Sequence, residues 1–344
     1  MKTLPYITPL ELSIGGSIKD EPSHFIVEEI PLYEPEGQGQ HIYLLIKKTD
    51  LNTSDVEKSL ATLFDISDKD IGTAGMKDKR AITTQWFSLS LGANSNTEEV
   101  CKKINENISG IEILKSSKHV NKLKTGHLIA NKFTITISDI KENALVVSKE
   151  IISLINKNGL PNFYGHQRFG SKGDNAITGK EIILGNKKIK KHWLKKIFLS
   201  AYQSELFNIW LTQRIEDGLF NELVPGDILL NSDGGRSFPF DIEKTHLEEF
   251  NKNDITYTGP MFGSKVSPAK EEEKVREDNV FNAQGISLDQ LKNVKLQGTR
   301  RAARIFPKDI TIKEPLEDNS ITLSFTLPVG SYATILLREF TKNF

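Results

Sequence analysis

The chain has 344 residues, 38% of them hydrophobic, and its 45 Lys and Arg cancel its 45 Asp and Glu. That length accommodates about two domains with a core each, and zero net charge means that any polyanion must be held by a local basic surface. One cysteine, Cys101, excludes an intramolecular disulfide framework and suits a reducing, cytoplasmic compartment. No Cys/His cluster has zinc-ligand spacing, so no metal is expected, and no run approaches the ~18 apolar residues of a membrane span.

From the N-terminus, "HFIVEEI" (24 to 30) and "HIYLLIKK" (41 to 48) read as strands, separated by the Pro- and Gly-punctuated loop "PLYEPEGQGQ". A helix comes next, capped by Asn52, Thr53 or Ser54, with Val56, Leu60 and Leu63 at helical spacing. Residues 84 to 89 alternate as a strand directly after "MKDKR", so Asp78 sits on a loop entering that strand. A helix is expected over 97 to 107, and the β-branched run "KFTITISDI" from 132 is a strand.

Near 159 the texture changes to the Gly-, Pro- and aromatic-rich "GLPNFYGHQRFGSKGDN", and the chain from there to about 300 is mostly helical in pattern. There "GNKKIKKHWLKKIFLSAYQSELFNIWLTQRI" predicts one long amphipathic helix or two abutting ones, its apolar stripe formed by Trp193, Leu194, Ile197, Phe198, Ala201 and Leu206. The stretch "PAKEEEKVREDNV" (268 to 280) reads as a charged surface helix. The C-terminal "NSITLSFTLPVGSYATILLREFTKNF" returns to strand alternation and a short helix. The expected organisation is therefore α+β: an N-terminal part, 1–157, completed by 306–344, with 158–305 inserted between them.

No P-loop, dinucleotide fingerprint, G-x-S-x-G elbow or H-E-x-x-H pair is present, so no cofactor is expected. What stands out is one carboxylate, Asp78, among Lys77, Lys79 and Arg80, an arrangement suited to a nucleophile or base rather than a proton donor. Basic groups recur at Lys115, Lys118, His119, Lys122, Lys124 and His127, at Lys187 through Lys196, and in "GTRRAAR" (298 to 304). With the aromatics Phe163, Tyr164 and Phe169 they point to RNA, whose unpaired bases can be stacked.

In order and at about the right separations, "AGMKDKRAITTQWFSL", "KLKTGHLIANKFTI", "NFYGHQRFG", "GTRRAAR" and "LSFTLPVGSYATILLRE" resemble the motifs of TruD-type tRNA pseudouridine synthases, and "IKDEPSHFIVEEIPLYEPEGQGQHIYLLIKK" resembles the family's opening. The resemblance implies a cofactor-free enzyme, monomeric, whose partner is tRNA and which isomerises uridine 13 to pseudouridine. It implies a pseudouridine synthase catalytic domain with a mixed or antiparallel sheet, interrupted by an α/β TRUD domain. It assigns Asp78 as catalytic nucleophile and Lys19, Phe25, Asn131, Phe133, Phe325 and Tyr332 as substrate contacts; Lys77, beside Asp78, is expected to bind the substrate through its phosphates. Lys190, Lys191, Arg300 and Arg301 are expected on the RNA backbone, and Lys19 or Arg338 as the cation beside Asp78. Ala130 and His24 depart from the family's usual Gly and Asp, and the aromatics of "FYGHQRFG" from its usual order. A non-catalytic RNA binder and a base-releasing glycosidic hydrolase are the alternatives.

Overall fold

Alternation and helical spacing in the first half become real elements in the computed structural model, which describes residues 3–18, 21–232, 234–316 and 319–343. The chain runs β1 (Gly15–Ile18), β2 (Phe25–Pro31), β3 (His41–Thr49), α1 (Thr53–Phe64), β4 (Ile71–Thr73), β5 (Ile82–Ser90), α2 (Thr97–Asn107), β6 (Ile111–His119) and β7 (Leu128–Ile140). It continues through α3 (Ala144–Asn158), β8 (Leu160–Pro161), α4 (Asn175–Leu184), α5 (His192–Glu216), β9 (Ile228–Asn231), β10 (Phe238–Pro239), α6 (His246–Asn251), β11 (Ile255–Met261), α7 (Glu271–Asn282) and α8 (Leu288–Asn293). It closes with β12 (Thr299–Ala302), β13 (Arg304–Ile305), β14 (Lys308–Leu316), β15 (Ser320–Pro328) and α9 (Ala333–Thr341).

These elements form two units. One, the sheet unit, comprises Ser13–Glu150, Pro307–Gly330 and the chain from Phe340 on; the other, the helical unit, comprises the chain up to Leu12, Ile151–Phe306 and Ser331–Glu339. The breaks thus fall at 150/151 and 306/307, where the change of texture sets 157/158 and 305/306, and segments near both termini join the helical unit.

In the sheet unit, the strands order as β14-β15-β7-β2-β5-β3-β6, with β1 added on β7 and β4 on β5. All pairings are antiparallel except β2 with β5, so the sheet is mixed. On one face Ile42, Leu44 and Ile46 of β3 meet Phe87 and Leu89 of β5, Val56 and Leu60 of α1, and Val100 and Ile104 of α2. Each such side chain contributes about 1.5–3 kcal/mol by leaving water. The helix predicted after residue 50 therefore exists because Val56 and Leu60 repeat every four residues onto that face. Asn52 holds its N-cap position without a side-chain cap bond, its amide donating instead to Asp55.

In the helical unit, α5 is one continuous helix, and the four-stranded antiparallel sheet β10-β9-β11-β12 lies where the sequence pattern suggests mostly helix. Those strands are short and carry Thr, Gly and Pro, so they lack a strong local signature. β11 packs so closely on α5 that a Cβ at Gly259 would lie 2.2 Å from the Trp210 ring. Beneath it Arg214 forms two 2.7 Å bonds to Asp227 and one of 2.8 Å to Glu273, whose other oxygen accepts the Trp210 Nε1–H at 2.6 Å. All three ionic side chains are fully buried. Helix α7 is thus not simply a charged surface: Glu273 and Glu277 turn inward as counter-ions, and burial lifts Glu273 to about 7. Among the described residues no helix is long and apolar enough to cross a membrane.

Candidate active site

Residues 75 to 81 carry the chain from β4 into β5 and are pinned from four directions. The Gly75 carbonyl accepts the Gln85 amide (3.0 Å), and the Lys77 N–H donates to the Thr53 hydroxyl (3.0 Å), which in turn bonds Gln85 (2.8 Å). Asp50 N–H donates to the Ala81 carbonyl at 3.2 Å. The fourth anchor is Lys48. Its side chain is fully buried, and its ammonium donates to the Leu51 carbonyl (2.5 Å) and to the main-chain carbonyl of Asp78 (3.1 Å). Burial brings that ammonium down to about 8, opposed by attraction to Asp78. A loop held this way presents its side chains in a fixed geometry at little entropic cost on reaction.

At its apex Asp78, Lys79 and Arg80 are exposed. Lys77 is not, and the structure corrects its expected role as a substrate contact. Its ammonium lies 2.8 Å from Glu29 in a pair whose side chains are 6% and 1% exposed. Glu29 also accepts the Trp86 N–H (3.2 Å), so the pair ties β2 to β5 and to the loop. Of the three cations around Asp78 in sequence, one is therefore committed inside the fold.

Glu29 faces Asn131 in the register of β2 and β7. The Asn131 Oδ1 is buried and accepts no hydrogen bond from the described residues, which leaves one acceptor available to a further donor. Two residues on, Phe133 is 7% exposed and stacks on Phe325 (5.4 Å between centroids, 21°), with Phe25 edge-on at 6.2 Å. Phe25 and Phe325, 2% and 0% exposed, lie deeper than Phe133 and buttress its ring. Lys19 lies outside the described residues. Tyr332 belongs to the helical unit, where its ring packs on Tyr164 at 5.9 Å. Arg338, one of two residues expected to pair with Asp78, donates to the Leu4 and Pro5 carbonyls and covers the Tyr6 ring at 4.0 Å.

Of the residues expected on the RNA backbone, Lys190 and Lys191 are exposed. Arg300 and Arg301 are corrected. Arg300 lies 2.7 Å from Glu277 and donates to the Thr258 carbonyl at 2.6 Å. Arg301 donates to both oxygens of Asn162 (3.1 and 2.7 Å) and covers the Tyr164 ring at 4.0 Å. Both stand on β12, paired with β11, where a guanidinium out of water must find partners inside the fold. Phe163 and Phe169, read as loop aromatics for stacking, are core residues at 0% and 1% exposure. In the basic group from 115 to 127, His119 is buried against Tyr33 (5.0 Å), and Lys118 and Lys122 donate to the Ala93 and Lys69 carbonyls.

Sequence reasoning missed Lys48, Glu29 and Gln85. The first was accessible: in "HIYLLIKK" Lys48 shares the parity of Ile42, Leu44 and Ile46 and so had to point into the core.

A family model described as tRNA pseudouridine synthase D (TruD) matches residues 3–191 and 187–340. A tRNA pseudouridine synthase D of Anaeromyxobacter dehalogenans is 36% identical over 350 residues, covering 99% of this chain and 97% of the relative. One of Thermus thermophilus is 36% identical over 338 residues, covering 98% and 92%. Among solved structures, a Methanosarcina mazei chain described as tRNA pseudouridine synthase D aligns with a TM-score of 0.76 at 24% identity, over 98% of this chain and 96% of that one. At that identity the likeness bears on the fold, which is the same mixed-sheet α+β architecture.

Proposed function

The chain belongs to the tRNA pseudouridine synthase D family, and on that premise we propose that it isomerises uridine 13 of tRNA to pseudouridine with Asp78 as the catalytic nucleophile. The observation that carries this reading is an exposed Asp78 on a loop whose main chain is clamped by Lys48, Thr53, Gln85 and Asp50. In the reaction the N1–C1′ bond breaks, the uracil turns, and a C5–C1′ bond forms. N1 gains a proton and C5 loses one, so the RNA keeps its mass. A uridine stacked in tRNA is out of reach, so the base must be extruded at a cost of a few kcal/mol and held by stacking and polar contacts. Phe133, stiffened by Phe25 and Phe325, supplies an apolar wall, and the Asn131 carbonyl, without a donor among the described residues, supplies an acceptor suited to a uracil N–H. Attack at C1′, attack at C6 and removal of a sugar proton all require the Asp78 carboxylate.

Lys19 and Tyr332 keep the substrate-facing role assigned by the resemblance, and Lys190 and Lys191 the role of phosphate contacts. In this reading the protein acts as a monomer in the cytoplasm. The test is Asp78→Asn, assayed on tRNA transcripts by carbodiimide-dependent reverse-transcriptase stops after circular dichroism confirms folding. The parent is expected to give the stop that marks residue 13, with RNA mass unchanged and no uracil released; a hydrolase releases uracil and a pure binder changes nothing. The variant should lose turnover by many orders of magnitude. A folded variant within about tenfold of the parent rate, roughly 1.4 kcal/mol in the barrier, overturns the assignment.

A further inference from the structure

Between Glu181 and Glu205 the chain carries no acidic residue, while Lys187, Lys188, Lys190, Lys191, Lys195 and Lys196 cluster around the start of α5. Lys187 lies 3.4 Å from the Thr178 hydroxyl, and among the described residues none of the other five makes an ion pair. Glu181, the acidic residue that precedes the cluster in sequence, accepts a bond from Asn186 at 3.0 Å. The first turn of α5 has neither an acidic residue nor a side-chain cap, so its own N–H groups add to the positive potential.

In this field stands Trp193. The sequence pattern places it on the buried stripe of α5, yet it is 60% exposed, and Ile197 one turn on is 43% exposed. Among the described residues it is the only exposed Trp or Phe. Ala201 and Leu206 of the predicted stripe are buried, with Leu199, Tyr202 and Trp210, but burial begins only at Leu199, so Trp193 in the first turn serves no core. Beside the helix start lies a cavity of about 370 Å³ lined by Ile182, Gly185, Lys187, Lys188, Ile189 and Lys195.

We propose that the start of α5 is a docking surface for the tRNA, with Trp193 as the platform on which one unpaired base stacks while lysines on either side engage the flanking phosphates. The proposal rests on the reading that the chain acts on tRNA and adds to it a base-stacking contact in the helical unit. Charge complementarity selects a polyanion, and a flat exposed ring selects one with an unpaired base, since the bases of a duplex are already stacked on one another. The lysines act as point charges that tolerate any sequence, so the surface contributes affinity rather than choice of base.

The other two tryptophans, Trp86 and Trp210, are 4% and 0% exposed, so changes in emission on ligand binding report chiefly on Trp193. Titrating the full chain with a tRNA transcript should quench this emission and protect it from acrylamide. Trp193→Leu, which keeps apolar bulk without a ring, should bind tRNA about tenfold more weakly and lose the quench; Trp193→Phe should stay within about threefold of the parent. Replacing Lys190 and Lys191 together by Ala should reduce the salt dependence of binding by roughly one to two in log–log slope. Trp193→Leu binding within twofold of the parent, or quenching by phosphatidylserine vesicles but not by tRNA, overturns the proposal. Pseudouridine formation by the parent is scored separately. A parent that modifies tRNA while Trp193→Leu binds normally removes the docking surface alone; a parent that binds through Trp193 but forms no pseudouridine removes the enzymatic reading alone.

Discussion

Lys48→Met tests whether the fixed loop geometry comes from a buried cation. Met matches the length and much of the volume of the Lys stem, so packing against the α1 face is preserved and the change reports on the ammonium. The native ammonium serves the Leu51 and Asp78 carbonyls. Two acceptors lose their buried donor, at about 1–3 kcal/mol each, and relief from burying a charge offsets part of that cost. The expected net loss is about 1–3 kcal/mol in urea unfolding at pH 7. With Asp78 as the proposed nucleophile, turnover should fall further than stability implies, by about 10- to 100-fold, because a small displacement of that carboxylate costs rate steeply. The pH dependence comes from the ammonium, which titrates near 8 in the folded protein against 10.5 unfolded. Below 8 both states are charged and the burial penalty is constant. Between about 8 and 10.5 the unfolded state holds more protons, so the parent should gain stability relative to Lys48→Met as pH rises. Equal urea midpoints, a constant gap from pH 7 to 10 and turnover within twofold of the parent would refute the reasoning.

The buried pair behind the loop is expected to couple strongly: in a double-mutant cycle of Lys77→Met and Glu29→Gln, either single change should cost more than the double, and additive losses would show the two side chains to be independent. Arg214→Ala leaves Asp227 and Glu273 buried without their cation and should cost about 3–5 kcal/mol, read as a fall in the thermal midpoint; a loss under 1 kcal/mol contradicts the arrangement. Gly259→Ala drives a methyl into the Trp210 ring and should destabilise by about 1–3 kcal/mol in urea unfolding, whereas an unchanged midpoint would mean that α5 and β11 can separate freely.

Much of the sheet unit was legible in the amino-acid order alone. The strands at 25–31, 41–49 and 82–90 and the helices at 53–64 and 97–107 match their predicted ranges closely, because apolar period is a property of consecutive residues. So was the placement of Asp78 on a loop entering a strand, and the order of motifs that carries the family resemblance. What the sequence could not determine is which charges meet. Lys77 finds Glu29 across 48 residues and Arg214 finds Glu273 across 59, so that an expected substrate contact and one side of an expected surface helix turn inward. Arg300 and Arg301 looked like phosphate ligands in "GTRRAAR" until β12 paired with β11 and enclosed them, while Trp193, with every mark of a core residue, was left in water because α5 is buried only from Leu199 on. Periodicity specifies which side of an element is apolar. Only the packing of distant segments decides which polar groups lose water, and a group that loses water must find its partner wherever the chain brings one.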